Sequence, residues 1–275
     1  MKIIQENDQI YHGNREFIGS TELRQMELSP KHFFTAWKQL EETKVTEAME
    51  IGSMLHSLLL EQNVDKFVAR PLNDKGELVR SNSKEYAAFL AANPGKTPIR
   101  PDLHSSLYDA LTAFADNKTA MRLIDKANIE QSIYATDHES GMQVKARPDI
   151  WGPGYLVDLK STSVIDKNFE KTIFANRYDF QLAHYAETIR SATGETIKDF
   201  YILAFERQAP FGSKIFKIPR FYIDEQAEIR KIYLNEIALC KKMNRWPSYS
   251  DQITEIQRPA FLSATNAFSM IEGVV

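Results

Sequence analysis

Apolar and polar positions alternate with two different periods along the chain, and the change falls near residue 128. Before it, the spacing is helical. "STELRQMELSPKHFFTAWKQL" predicts a helix opening at Ser20 as N-cap and a second starting at Pro30, whose fixed φ suits a first turn. "TEAMEIGSMLHSLLLEQ" and "DLHSSLYDALTAFADN" carry apolar residues three and four apart and predict two more, and "RPLNDKGELVRSNSKEY" between them reads as a loop within one domain.

After residue 128 the period shortens. "IEQSIYATDHESGMQVKARPDIWGPGYLVDLKSTS" predicts three strands, with turns at Ser140-Gly141 and at Gly152-Pro153-Gly154, in an antiparallel meander. "YDFQLAHYAETIRSATG" predicts a helix capped by Gly194. "KDFYILAFERQ" and "KIFKIPRFYI" predict two strands, and "DEQAEIRKIYLNEIALCKKMNR" a long final helix. Helices, three strands, helix, two strands and helix make an α/β (α+β) chain: a mixed sheet flanked by helices, with a helical N-terminal half. Without a repeat, a low-complexity tract or a Gly/Ser linker, one domain over residues 1–258 and a tail over 259–275 is the expected organisation.

Composition narrows the chemistry. Of 275 residues, 43% are hydrophobic, enough for a packed core, and no window nears the ~18 consecutive apolar residues of a membrane span. The expected place is the cytoplasm. The single cysteine, Cys240, excludes an internal disulfide, a cysteine-rich zinc site and a cysteine-held iron–sulfur cluster, so any metal must be held by oxygen and imidazole. A net charge of -3 gives no global pull toward nucleic acid, so basic residues would have to gather in a groove.

The apolar stretch "YLVDLKSTS" carries an acid, Asp158, and two positions on a base, Lys160, on the same face of a strand. In the preceding stretch, "VKARPDIW", Asp149 closes the strand, and the Gly152-Pro153-Gly154 turn brings this second carboxylate beside the first. Two carboxylates on neighbouring strand ends make a hard oxygen site of the kind Mg²⁺ prefers. Pro148-Asp149 followed by Asp158-Leu159-Lys160 is a PD-(D/E)XK arrangement, a string that also fits an exposed salt bridge. Gln181 and Tyr185 share one helix face at i and i+4, as do Gly52 and His56, and Glu130 opens the strand region. Taken singly, each of these has an ordinary structural reading.

In that order, Gly-x-x-x-His, a strand Glu, Pro-Asp, Asp-x-Lys and Gln-x-x-x-Tyr resemble the RecB-type branch of the PD-(D/E)XK nucleases, most of all the exonuclease VIII (RecE) nuclease domain of phages. "YATDHESGMQVKARPDIW", "WPSYSD" and "YHGNREFIGSTELRQMELSPKHF" extend the resemblance over roughly residues 10–255. The resemblance implies His56, Asp149, Asp158 and the carbonyl of Leu159 as metal ligands. It implies Lys160 as the catalytic lysine, Gln181 and Tyr185 as positioning residues, and Glu130 as a possible member of the site. It further implies Mg²⁺, with Mn²⁺ able to substitute, and 5′→3′ degradation of linear double-stranded DNA that leaves 3′ single strands for an annealing protein of RecT type. A ring-shaped homo-oligomer, a tetramer by the same resemblance, would surround the DNA, with Arg80, Lys84 and Arg147 as channel-lining candidates that equally suit a solvated surface. Two other readings compete: a RecB-like nuclease built around an iron–sulfur cluster, against which one cysteine argues, and a non-catalytic DNA-binding scaffold, against which the intact acids and lysine argue.

Overall fold

The computed structural model describes residues 1–38, 47–249 and 252–257. The first half is mostly helical: strand β1 (Lys2–Ile4) precedes α1 (Asp8–Gly13), α2 (Ser20–Leu23), α3 (Pro30–Trp37) and α4 (Glu47–Glu61). Then come β2 (Phe67–Ala69), α5 (Lys84–Ala92), β3 (Thr97–Ile99), α6 (Pro101–Ser105), α7 (Leu107–Asp116) and α8 (Lys118–Ile124). The strands of the second half are β4 (Asn128–Ile129), β5 (Ser132–Thr136), β6 (Gln143–Ala146), β7 (Ile150–Gly152) and β8 (Tyr155–Thr162). After α9 (Phe169–Ala175) and α10 (Tyr178–Thr193), β9 (Asp199–Glu206), β10 (Ser213–Ile218) and α11 (Arg220–Met243) complete the fold.

Five strands form the central sheet in the order β10-β9-β8-β7-β4. Its single parallel pair, β8 with β9, needs the crossover that α9 and α10 supply, while the other pairs are antiparallel. The expected meander is therefore corrected. β5 and β6 belong to a separate sheet, β1-β5-β6, and only β7 and β8 form the hairpin in the central one. Pro148 is the physical reason: it has no N–H to give a ladder and restrains Arg147, so residues 147–149 leave one sheet before β7 enters the other.

Four boundaries also move. Gly19, not Ser20, is the N-cap of α2, and Pro30 does open α3, capped by the Ser29 hydroxyl. The run expected as one helix over 102–117 breaks at Ser106 into α6 and α7. Pro219 ends the last strand at Ile218, so α11 starts earlier, at Arg220. Gly194 caps α10 at φ 78, in the left-handed region that only glycine enters without strain, as its sequence position predicts.

The central sheet separates two apolar layers. Leu156, Phe200, Ile202 and Ala204 face Phe180, Leu182, Ala183 and Ile189 of α10 and Leu234 and Ile237 of α11. Val157, Leu159, Leu203 and Phe205 face Leu55, Leu58 and Leu59 of α4 and Phe114 of α7. Alternation along β8 puts Asp158 and Lys160 on the α10 side with Leu156, while Leu159 sits among the α4 leucines. The end of β8 is thus approached by α10 from one face and by α4 from the other. Among the described residues no helix is long and apolar enough to cross a membrane.

Candidate active site

The β7–β8 hairpin assembles the acids. Its register pairs Ile150 with Val157, which brings Asp149, just before β7, beside Asp158. Asp149 therefore does not close the preceding strand; it stands in the irregular link after β6, and its Oδ2 accepts the Leu159 N–H at 2.6 Å. The Asp158 side chain is 2% exposed, and its Oδ2 lies 2.7 Å from Lys160 Nζ without a well-directed hydrogen bond. Charge, rather than a directed bond, holds that pair.

Two further contacts fix Lys160. Its Nζ donates to Gln181 Oε1 at 3.1 Å and lies 4.6 Å from the centre of the Tyr178 ring. Gln181 in turn donates through Nε2 to the Tyr185 hydroxyl at 2.7 Å. The one-turn spacing of Gln181 and Tyr185 thus serves a relay that ends on the lysine.

From the opposite layer, α4 delivers His56. Its Nε2 is 2.8 Å from the carbonyl oxygen of Leu159 and 3.3 Å from Asp149 Oδ2, and its Nδ1 is 3.8 Å from Glu130 Oε1. Gly52, one turn earlier, explains the Gly-x-x-x-His spacing: a Cβ there would stand 3.0 Å from Ser161 Oγ, so its absence lets α4 lie against the end of β8. Glu130 adopts φ 48, strained for a residue with a side chain, and is held at both ends. Its N–H donates to the Asp149 carbonyl at 3.1 Å, and its own carbonyl accepts from Arg147 Nε at 3.0 Å.

The electrostatics follow from crowding. Burial pushes the Asp158 carboxyl up to about 6, against the pull of Lys160. Burial works the same way on Asp149, yet His56 outweighs it and holds that carboxyl below its ordinary value. Burial opposes charge on His56, but Asp149 and then Glu130 raise it well above an ordinary histidine. Lys160, also desolvated, is raised by Asp158 and Asp149 together.

Of the residues singled out in the sequence, His56, Glu130, Arg147, Asp149, Asp158, Leu159, Lys160, Gln181 and Tyr185 converge here. Arg80 and Lys84 do not: both are exposed, on the loop before α5 and at its first residue, and neither makes a hydrogen bond or ion pair with the cluster. Arg147, expected to line a channel, is mostly buried and grips Glu130, with Nη2 3.5 Å from its Oε2. Tyr178 belongs to no motif in the sequence, although its place three residues before Gln181 on the same helix face is a usable signal.

The donor types suit a divalent cation: two carboxylates, a main-chain carbonyl and an imidazole, with one buried carboxylate oxygen lacking a directed partner. Among the described residues no three His, Cys, Asp or Glu side chains stand spaced as a ready set of ligands, and His56 itself lies against the Leu159 and Asp149 oxygens. The fit is therefore one of donor chemistry.

The model of a family described as a PDDEXK-like domain of unknown function (DUF3799) matches residues 19–259. The chain belongs to this PDDEXK-like family. The expected mixed sheet flanked by helices is thereby met, as a restriction-endonuclease-like fold. No curated protein matches the chain. Among solved structures, a candidate exonuclease from Eubacterium rectale superposes with a TM-score of 0.59 at 17% identity, covering 95% of this chain and 99% of that one. The alkaline exonuclease LHK-Exo from Laribacter hongkongensis gives a TM-score of 0.33 at 9% identity, over 86% of this chain and 97% of that one. The first likeness establishes a shared fold. The matched stretch contains Pro148-Asp149 and Asp158-Leu159-Lys160. The stretch from residue 258 onward, expected to be largely a tail, lies outside the described residues.

Proposed function

We propose that this PDDEXK-like chain is a Mg²⁺-dependent exodeoxyribonuclease that degrades linear double-stranded DNA in the 5′→3′ direction. One observation carries the nuclease reading: Asp149, Asp158 and Lys160 meet at one end of the sheet, with His56 and the Leu159 carbonyl closing the group from the other layer. The polarity, a ring-shaped homo-oligomer and an annealing partner of RecT type rest on the motif order described above.

His56, Asp149, Asp158 and the Leu159 carbonyl would hold the metal, whose charge would stabilise the phosphate oxygens and acidify a water. Lys160, whose Nζ stands 2.7 Å from Asp158 Oδ2, would present positive charge and N–H donors to a phosphate oxygen. Gln181 and the Tyr178 ring keep that ammonium in place, and Tyr185 fixes the Gln181 amide. Arg147 holds Glu130 against the His56 side of the site.

End-labelled linear duplex tests the reading. Mg²⁺ should support release of nucleotides, a chelator should stop it, and closed circular duplex should resist. Label lost first from 5′ ends gives the polarity. Equal release with and without chelator would overturn the reading.

A further inference from the structure

Beside the acid–lysine centre, a small pocket of about 30 Å³ is lined by Ser20, Thr21, Arg24, Arg177, Phe180 and Gln181. The pocket is open to solvent, and its lining of two guanidinium groups and two hydroxyls offers donors to the oxygens of a phosphate. Gln181 is shared between this pocket and the Lys160 relay, which places the pocket one side chain from the chemistry.

Its two arginines are held by the same corner of the chain. Arg24 donates through Nη1 to the carbonyl of Asn176 at 2.7 Å, and Arg177 is the next residue. Arg177 has φ 58 and ψ 39, left-handed values that a residue with a side chain adopts only under strain. A glycine would meet the turn into α10 without that strain, yet an arginine stands there. The turn lays its guanidinium 5.9 Å from the centre of the Phe180 ring, with Nη2 3.0 Å from Gln226 Oε1 and 3.5 Å from Glu27 Oε1. Its Nε is withdrawn from solvent and has no hydrogen-bond partner. Glu27 is 45% exposed and at the edge of ion-pair range, a weak partner that an incoming anion can replace. Guanidinium groups match phosphate oxygens in shape and charge, and the Ser20 and Thr21 hydroxyls add donors.

We infer that Arg24 and Arg177 bind one non-scissile backbone phosphate of the DNA strand whose neighbouring phosphate lies at Lys160. This inference rests on the nuclease reading, and supplies it with a second anchor that sets where along the strand the cut falls.

The test measures binding of a short linear duplex by fluorescence anisotropy, in chelator, over a range of salt. Each lost phosphate contact lowers the slope of log K against log salt by about 0.9. Arg24→Gln and Arg177→Gln should each lower it, and together by about that amount because they share one phosphate, whereas Arg220→Gln, on an arginine paired with Asp224 at the start of α11, should leave it unchanged. Arg177→Gly separates binding from folding: it should melt at or above the wild-type temperature while showing the same loss of slope. Wild-type slopes in Arg24→Gln and in both Arg177 variants would overturn the site, even with metal-dependent cleavage intact. Lowered slopes in a protein that never cleaves would leave the site standing and remove the nuclease reading. Absence of duplex binding by the wild type would remove both.

Discussion

Lys160 and Asp158 share one face of β8 and touch at 2.7 Å, yet they are expected to fail differently. Asp158→Asn keeps the shape and removes a ligand's charge, so calorimetric titration should show weaker metal binding, and excess Mg²⁺ or Mn²⁺ should restore part of the lost rate. Lys160→Ala leaves every proposed ligand in place. It should bind metal at least as tightly as the wild type, and single-turnover cleavage should slow by a factor on the order of 10² or more, with no rescue by metal. Cleavage at the wild-type rate would reduce Lys160 to a structural partner. The relay behind it makes a graded prediction. Tyr185→Phe deletes the hydroxyl that accepts from Gln181 Nε2, and Gln181→Ala deletes the acceptor for Lys160 itself. The rate should fall more in Gln181→Ala than in Tyr185→Phe, with melting temperature nearly constant in Gln181→Ala, whose side chain is only half-buried.

Among elements, the β7–β8 hairpin bears most directly on the site. A Cβ on Gly152 would coincide with the Tyr155 ring, whose hydroxyl donates to the Leu123 carbonyl at 2.7 Å. Gly152→Ala must displace that ring and should cost about 1–3 kcal/mol, read as a lower denaturant midpoint. Activity should fall with it, because the same turn sets the register of Asp149 against Asp158. This hairpin was legible in the sequence: the Gly-Pro-Gly turn, the apolar runs beside it and the acid and lysine two apart are local patterns. So was α10, with its Gly194 cap and the one-turn step from Gln181 to Tyr185. The split at Pro148 was less so, since a strand run does not say which sheet it joins. Nor did the sequence disclose the grip of Arg147 on Glu130, because an arginine's partner is chosen by tertiary contact. Arg80 and Lys84 illustrate the same limit: charge alone carries no periodicity that points toward a site.

Across the whole molecule, a buried polar network ties distant parts together. His184 of α10 is fully buried, with Nε2 2.9 Å from the Lys145 carbonyl on β6, and its Nδ1 faces Arg230 Nε at 3.3 Å. Arg230, from α11, also donates to Asp137 at 2.9 Å. Burial, then the Arg230 charge, lowers the His184 pKa from 6.5 to about 3. Between those values the unfolded chain binds a proton that the folded one refuses. Stability is therefore full above about 6.5 and declines as pH falls toward 3, by at most about 1.4 kcal/mol per pH unit from this group. Asp137 adds to the trend. Burial works against its charge, but the Ser140 N–H and Arg230 win and lower its pKa, so its contribution too is lost in acid. His184→Gln, which can replace both hydrogen bonds without titrating, should flatten the dependence of melting temperature on pH between neutrality and about pH 4. An unchanged slope would assign the acid sensitivity to other groups.

The hairpin also governs when the site can come into being as the chain folds. Asp149 and Leu159 are ten residues apart, a loop that closes early and at small entropic cost, whereas His56 must find Leu159 across 103 residues. Folding should thus bring the two acids and their lysine together before the other wall of the site is in place. Metal-binding competence should lag behind secondary structure in a refolding experiment, arriving with the late docking of α4. A polypeptide caught before that step should hold its acids and lysine in register without its histidine wall.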